Sequence, residues 1–282
     1  MKENQTIQKM FQSHGELDQV LYHLGLSTFR NRYQELAELY EKTGKSHVAF
    51  LYDLCTEESD RRDQVRRDRL VRAAKLPRHK LLRDFEINKI PGLSPALIDR
   101  LATGNFIDIP ENILIFGNPG TGKSHLAIAL AREWCLMGRR ILFKGASQLV
   151  EELRQAQKNK GLHKFMKQLD RVECIIIDDI SYIPFQRDET NLLFQLINER
   201  YEKRSLLVTS NLAFSQWKSI FPDEMATVAL IDRLVHHAEI LELNAPSYRA
   251  QKANMRKKND RSEKSSVGEI ALPTGPTSPC PA

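Results

Sequence analysis

One run, Gly117-Asn118-Pro119-Gly120-Thr121-Gly122-Lys123-Ser124, constrains this chain more than any other stretch. It follows the apolar segment Ile113-Leu114-Ile115-Phe116 and opens onto a helix-like segment from His125 to Met137. A strand that ends in a glycine-rich loop and leads into a helix is the frame of a phosphate-binding P-loop. The glycines let the backbone curl until successive N–H groups converge on phosphate oxygens. The helix adds the positive end of its dipole. In that frame the residues from Gly117 to His125 surround the phosphates of ATP. Lys123 reaches the β- and γ-phosphates, and the Ser124 hydroxyl ligates Mg²⁺.

Two further strand ends complete a hydrolytic set. Asp178 and Asp179 follow Cys174-Ile175-Ile176-Ile177 about 55 residues after the P-loop. An apolar run ending in acids reads as a buried strand with carboxylates at its C-terminal edge, where ligands bind in open α/β sheets. Asp178 is expected to hold Mg²⁺ through water, and Asp179 to orient or deprotonate the attacking water. Ser205-Leu206-Leu207-Val208-Thr209-Ser210-Asn211 reads as another buried strand. The Asn211 amide either positions the lytic water or merely occupies the turn after the strand.

With 282 residues there is room for one α/β domain and a smaller addition. No stretch approaches the ~20 apolar residues of a membrane span, and Met1 to Gln5 lacks the apolar core of a signal peptide. Cys55, Cys135, Cys174 and Cys280 are scattered, with neither disulfide-framework nor zinc spacing. A cytoplasmic, nucleoid-associated location is expected. The net charge is +6, yet ten Arg and Lys residues face only Asp63 and Asp68 between Arg61 and Arg83. Such a concentrated field, rich in guanidinium groups that hydrogen-bond in pairs, suits a nucleic acid.

Residues 1–83 read as a helical N-terminal domain closed by the basic helix. The stripes Leu17, Val20, Leu21 and Leu24; Leu36, Leu39 and Tyr40; and Val48, Leu51 and Leu54 are expected to form its core. The break Leu76-Pro77 ends that helix. A connector spans 84–111, with Pro91-Gly92 and Pro95 as breakers and Phe85, Phe106 and Ile107 as apolar anchors. From 112 to 258 strands and helices alternate. The expected elements include a strand at Ile141-Leu142-Phe143, one helix from about Ser147, a helix with Leu192, Leu193, Leu196 and Ile197 on one side, and a last strand at Ile240-Leu241-Glu242-Leu243. This predicts an α/β core with a parallel sheet and helices on both faces. The tail 259–282, rich in Ser, Pro and Gly, is expected to be disordered.

The P-loop, the acid pair, Thr209-Ser210-Asn211, the stretch Ile231-Asp232-Arg233-Leu234-Val235-His236-His237 and Ser247-Tyr248-Arg249 occur in this order. Together they resemble the IstB-like ATP-binding proteins of bacterial insertion sequences, which are AAA+ ATPases related to the helicase loader DnaC and the initiator DnaA. The resemblance covers roughly residues 30–250 and includes Lys75-Leu76-Pro77, Asp84-Phe85 and Phe106-Ile107. It implies a homo-oligomer assembled on duplex DNA with ATP, recruiting a cognate transposase, with hydrolysis as the timer for disassembly. It also implies an arginine supplied in trans to the nucleotide of a neighbour. Arg233 is the first candidate, with Arg204 and Arg200 as alternatives. A helical lid is expected to be absent or vestigial, with Arg249 a weak substitute for a lid-borne arginine. A DnaC-like helicase loader is the alternative reading. A small-molecule kinase shares the P-loop but not the Asn-ending strand or the basic cluster. His236 and His237 are adjacent, and adjacent side chains on a helix diverge, which argues against a joint metal site.

Overall fold

The computed structural model describes residues 15–77, 80–181 and 184–248. Within them the chain divides into two compact units, one formed by the N-terminal part to Ala73 with Cys135–Arg139, the other by the remainder.

The first unit is helical: residues 15–23 (α1), Ser27–Thr43 (α2) and His47–Ala73 (α3). Gly44, at φ 64°, ends α2 with its N–H donated to Tyr40 O. The short connection folds α3 back antiparallel, so residues early in one helix meet residues late in the other. Arg32 pairs with Glu57, and the Tyr40 hydroxyl donates to Asp53. Leu21, Tyr33, Leu36, Tyr40 and Leu54 form a small core. Leu17, Val20, Leu24, Leu39, Val48 and Leu51, expected in that core, are exposed instead. The two long helices cover each other on one side only, so part of each apolar stripe stays uncovered.

The deepest polar contact of this unit is Glu58, whose side chain is only 5% exposed. It accepts the Thr28 N–H at 3.0 Å, Arg61 Nη2 at 2.7 Å and Arg62 Nε at 2.7 Å. These donors, Arg61 first, hold its carboxyl well below the ordinary carboxylate range against the opposing effect of burial. Beyond Glu58 the helix α3 has run past the start of α2, and every residue from 59 to 69 is exposed. Arg61, Arg62, Arg66, Arg67 and Arg69 of the basic cluster fall on this stretch and Arg72 follows on the same helix, whereas Arg78 lies outside the described residues.

The second unit is built on five parallel strands: Asn112–Phe116 (β1), Ile141–Gly145 (β2), Cys174–Asp178 (β3), Ser205–Ser210 (β4) and Ala238–Glu242 (β5). Their order is β2-β3-β4-β1-β5. Before the sheet come short 3-10 turns and Pro95–Ala102 (α4), begun by Ser94, whose side chain accepts the Leu97 N–H. The other helices are Lys123–Leu136 (α5), Ala146–Lys158 (α6), Leu162–Asp170 (α7), Arg187–Arg200 (α8) and Glu224–Val235 (α9). Leu114, Ile175, Ile177, Leu206 and Val208 pack on one sheet face with Leu149, Leu193 and Leu234 from the helices. By the alternation of a strand, Ile113, Ile115, Ile176 and Leu207 belong to the other face, and they too are fully buried. Both faces are therefore covered, as the alternation of elements predicts.

One local reading needs correction. The single helix expected from Ser147 is two, α6 and α7, because Lys160 adopts a left-handed φ of 54° and Gly161 caps the next helix. The stretch after β4 is helical, a 3-10 turn, Phe214–Ser219, followed by α9, which is capped by Asp223, whose side chain accepts the Ala226 N–H. No lid follows β5 among the described residues. The expected tail lies outside them, as does Arg249. None of the described helices is long and apolar enough to cross a membrane.

Candidate functional site

The site is assembled at the C-terminal edge of the sheet by strand register. β4 lies between β1 and β3, with Ile115 opposite Thr209 and Ile177 opposite Val208. Two steps beyond the first pair, past Phe116 and Ser210, Asn211 comes level with Gly117, and one step beyond the second Thr209 comes level with Asp178. The loop after β1 is thus set beside both acids by a strand distant from each in sequence.

The loop backbone needs its glycines. Gly117 and Gly120 have φ of 149° and 86°. A Cβ on Gly117 would stand 2.5 Å from Leu243 O, and one on Gly120 would collide with Ser247. Tyr248 donates its N–H to Gly120 O at 2.9 Å, so the segment after β5 braces the back of the loop. Lys123 is buried, and its Nζ donates to Gly117 O at 2.7 Å and Asn118 O at 2.9 Å. The ammonium thus lies within the curl of the loop. Asn118 O also accepts the Thr121 hydroxyl. The His125 ring is 3.0 Å from Leu81 O and meets Phe85 edge to face. Of the connector's anchors, Phe85 touches this loop region, whereas Phe106 packs on Trp134 in the interior.

Across from the loop, one hydroxyl ties the acids together. Thr209 Oγ1 donates to Asp178 Oδ1 at 2.7 Å and accepts the Asp179 N–H at 2.8 Å. Asn211 Nδ2 donates to Asp179 Oδ1 at 2.6 Å, and the Asn211 N–H goes to Ser181 Oγ at 2.8 Å. Asp179 has φ of 58°, which a non-glycine residue adopts only where its surroundings hold it. The kink turns Asp179 out of the strand's alternation and toward Asn211. Thr209 escaped the sequence reading because a threonine inside a strand is ordinary. Its only signal was its even spacing from Asn211.

A cavity of about 370 Å³ adjoins this set, lined by Gly117, Asn118, Asn211, Phe214, Glu242 and Asn244 among others. The oxygen donors Ser124 and Asp178 suit Mg²⁺, which favours oxygen ligands and retains water. The glycine cradle and the Lys123 ammonium suit the phosphates of a nucleotide.

The arginines are separated by the structure. Arg200 is 2% exposed and donates to Leu169 O, Val172 O, Glu173 O and Ser205 O. A guanidinium so enclosed is a structural clamp, and burial pushes its pKa down to about 10. Its candidacy as an arginine acting on a neighbour is withdrawn. Arg233 is half-buried, with Nε donating to Asn198 Oδ1 at 2.9 Å, Nη1 to Ala229 O at 3.0 Å, and its plane over Phe194. Arg204 is also half-buried, in the turn before β4. Glu199, one residue before the end of α8, accepts from Gln195 Nε2 at 3.1 Å and lies at the opposite end of the sheet from Asp178.

Residues 19–256 match the family model described as IstB-like ATP binding protein. An insertion-sequence ATP-binding protein of Sinorhizobium fredii is 37% identical over 83% of this chain and 79% of its own length. One from Pseudomonas aeruginosa is 34% identical over 83% of this chain and 88% of its own. Among solved structures, the DnaC helicase loader aligns with a TM-score of 0.51 at 18% identity, over 59% of this chain and 97% of that one. The initiator DnaA, bound to AMPPCP and single-stranded DNA, aligns with a TM-score of 0.52 at 18% identity, over 65% of this chain and 56% of that one. This chain therefore spans little more than half of the initiator's length. At such identity the likeness establishes the fold, an AAA+ P-loop core.

Proposed function

This chain belongs to the IstB-like ATP-binding protein family, and from that premise we propose that it is an ATP-hydrolysing helper of transposition. The observation that carries the reading is the bridge Asp178–Thr209–Asp179–Asn211, held in register beside the P-loop. Gly117 to His125 cradle the phosphates, Lys123 neutralises the β- and γ-oxygens, and Ser124 and Asp178 would hold Mg²⁺, which when bound would supply further neutralisation of phosphate charge. Asp179, fixed by Asn211, orients the attacking water and takes its proton. Arg233, from its place near the end of α9, is the arginine offered to a neighbour's nucleotide.

The protein assembles with ATP on duplex DNA, bound through phosphates by the exposed arginines of α3. It recruits a cognate transposase, and hydrolysis times release. Two features support association with proteins: the insertion-sequence relatives, and the uncovered apolar side chains of the helical unit, among them Leu17, Val20, Tyr22 and Tyr52.

The test is ATP turnover by the purified chain, alone and with double- or single-stranded DNA, at two salt concentrations. Stimulation by duplex that fades with salt is expected. Stimulation by single strands alone would move the assignment to a helicase loader. Lys123→Ala should abolish nucleotide-driven assembly and Asp179→Asn should trap an ATP-bound form on DNA. DNA-bound assembly equally good in both variants without nucleotide would sink the timer.

A further inference from the structure

The nucleotide site uses the end of the sheet where β1, β3 and β4 finish, and the opposite end carries a second cluster outside it. There α8 gives way to the turn 201–204 and α9 gives way to His236 and His237 just before β5. Glu202 Oε1 lies 3.9 Å from His237 Nε2. The rings of His236 and His237 meet edge to face with centroids 4.1 Å apart. One ligand-type atom from each of Glu202, His236 and His237 lies within 4.8 Å of the other two.

The expected divergence of adjacent histidines is thereby corrected. The two residues are at and just past the helix end, where His236 is the C-cap, and their rings lie side by side. Two further observations belong to the same spot. Glu202 is held at φ 56°, in the left-handed region that glutamate seldom adopts. The Tyr201 hydroxyl is 2.8 Å from His236 Nδ1. A ring whose Nδ1–H is given to that oxygen keeps the Nε2 lone pair for a metal, the arrangement usual behind a metal-bound imidazole.

We propose that Glu202, His236 and His237 form a binding site for a divalent transition cation of the zinc class. Two imidazoles and a carboxylate are a donor set that zinc accepts, whereas Mg²⁺ favours oxygen alone. Zinc–ligand distances of about 2.0–2.2 Å place tetrahedral donors about 3.4 Å apart. Rotamer changes of about 1 Å in these exposed side chains close the gap. Three protein donors leave a fourth position for water. The cation ties the turn after α8 to the end of α9, three residues beyond Arg233. His237 also anchors the sheet, since its carbonyl accepts the Asn112 N–H at 2.7 Å.

The test uses the full chain stripped of metal and then given Zn²⁺ alone, with bound metal measured after equilibrium dialysis. One equivalent and a raised thermal midpoint are expected, and Co²⁺ in its place should give the visible absorption of a four-coordinate site. Glu202→Gln and His237→Ala should each weaken binding by at least about tenfold, and Tyr201→Phe by about tenfold. These variants should keep the metal-free thermal midpoint, which separates a lost ligand from a lost fold. Binding of a fluorescent ATP analogue, followed in parallel, should not change, so this site and the nucleotide site succeed or fail independently. A wild-type chain that retains no Zn²⁺, or a His236→Ala/His237→Ala double variant that retains it equally, overturns the proposal.

Discussion

Thr209 shows how much one hydroxyl can carry. Thr209→Val keeps the shape of the side chain but leaves Asp178 without its donor and the Asp179 N–H without its acceptor. Loss of this part-buried hydrogen bond favours relaxation of the kink at Asp179. ATP turnover should fall about 10²-fold while nucleotide binding persists, read by single-turnover hydrolysis beside a binding titration. Unchanged turnover would make the threonine a packing residue. At Glu58 the same accounting applies to stability. Its folded pKa lies below the ordinary 4.5, so its contribution is complete above that value and is lost as the pH falls through and below it. Glu58→Ala should cost about 2 kcal/mol, through loss of the charge-assisted bonds from Arg61 and Arg62 together with the orphaned Thr28 N–H. The difference between this variant and wild type should shrink in acid, measured by denaturant unfolding at pH 7 and pH 3.

Among the elements, α8 depends on its last residue. Arg200 collects carbonyls from the end of α7, the approach to β3 and the start of β4. Those carbonyls belong to segments that the sequence keeps far apart, and one guanidinium satisfies them together. Arg200→Met removes the donors and leaves several buried acceptors unpaired, at a cost of about 3 kcal/mol. Thermal unfolding should show the loss, and a variant as stable as wild type would refute the clamp. Sequence periodicity located α8 through Leu192, Leu193, Leu196 and Ile197, all of which are buried. It did not find the break between α6 and α7, because periodicity follows the apolar positions and the break is marked only by Asn159 and Gly161 around the left-handed Lys160.

At the scale of the whole molecule, charge is the property that acts at a distance. Arg61 and Arg62 are partly committed to Glu58, whereas Arg66, Arg67, Arg69 and Arg72 project from the exposed part of α3. Changing these four to Ala should weaken duplex binding without altering sequence preference. The slope of log affinity against log salt should fall by about 3–4 if each meets a phosphate. Fluorescence anisotropy across a salt series measures it, and an unchanged slope would make the cluster a solvated face.

The sequence alone determined the parts whose chemistry is local. Gly117 to Ser124 must curl because only glycine tolerates those backbone angles, and the apolar runs before Asp178 and Asn211 could only be buried strands. It also determined the family, through residues that keep their order and spacing. Tertiary structure decided what depends on register and covering. Placing β4 between β3 and β1 made Thr209 the bridge between the acids and helped enclose Arg200, while the one-sided packing of α2 on α3 left most of the N-terminal stripes uncovered. These outcomes depend on which strand or helix becomes a neighbour across tens of residues, and periodicity within a segment holds no record of that choice.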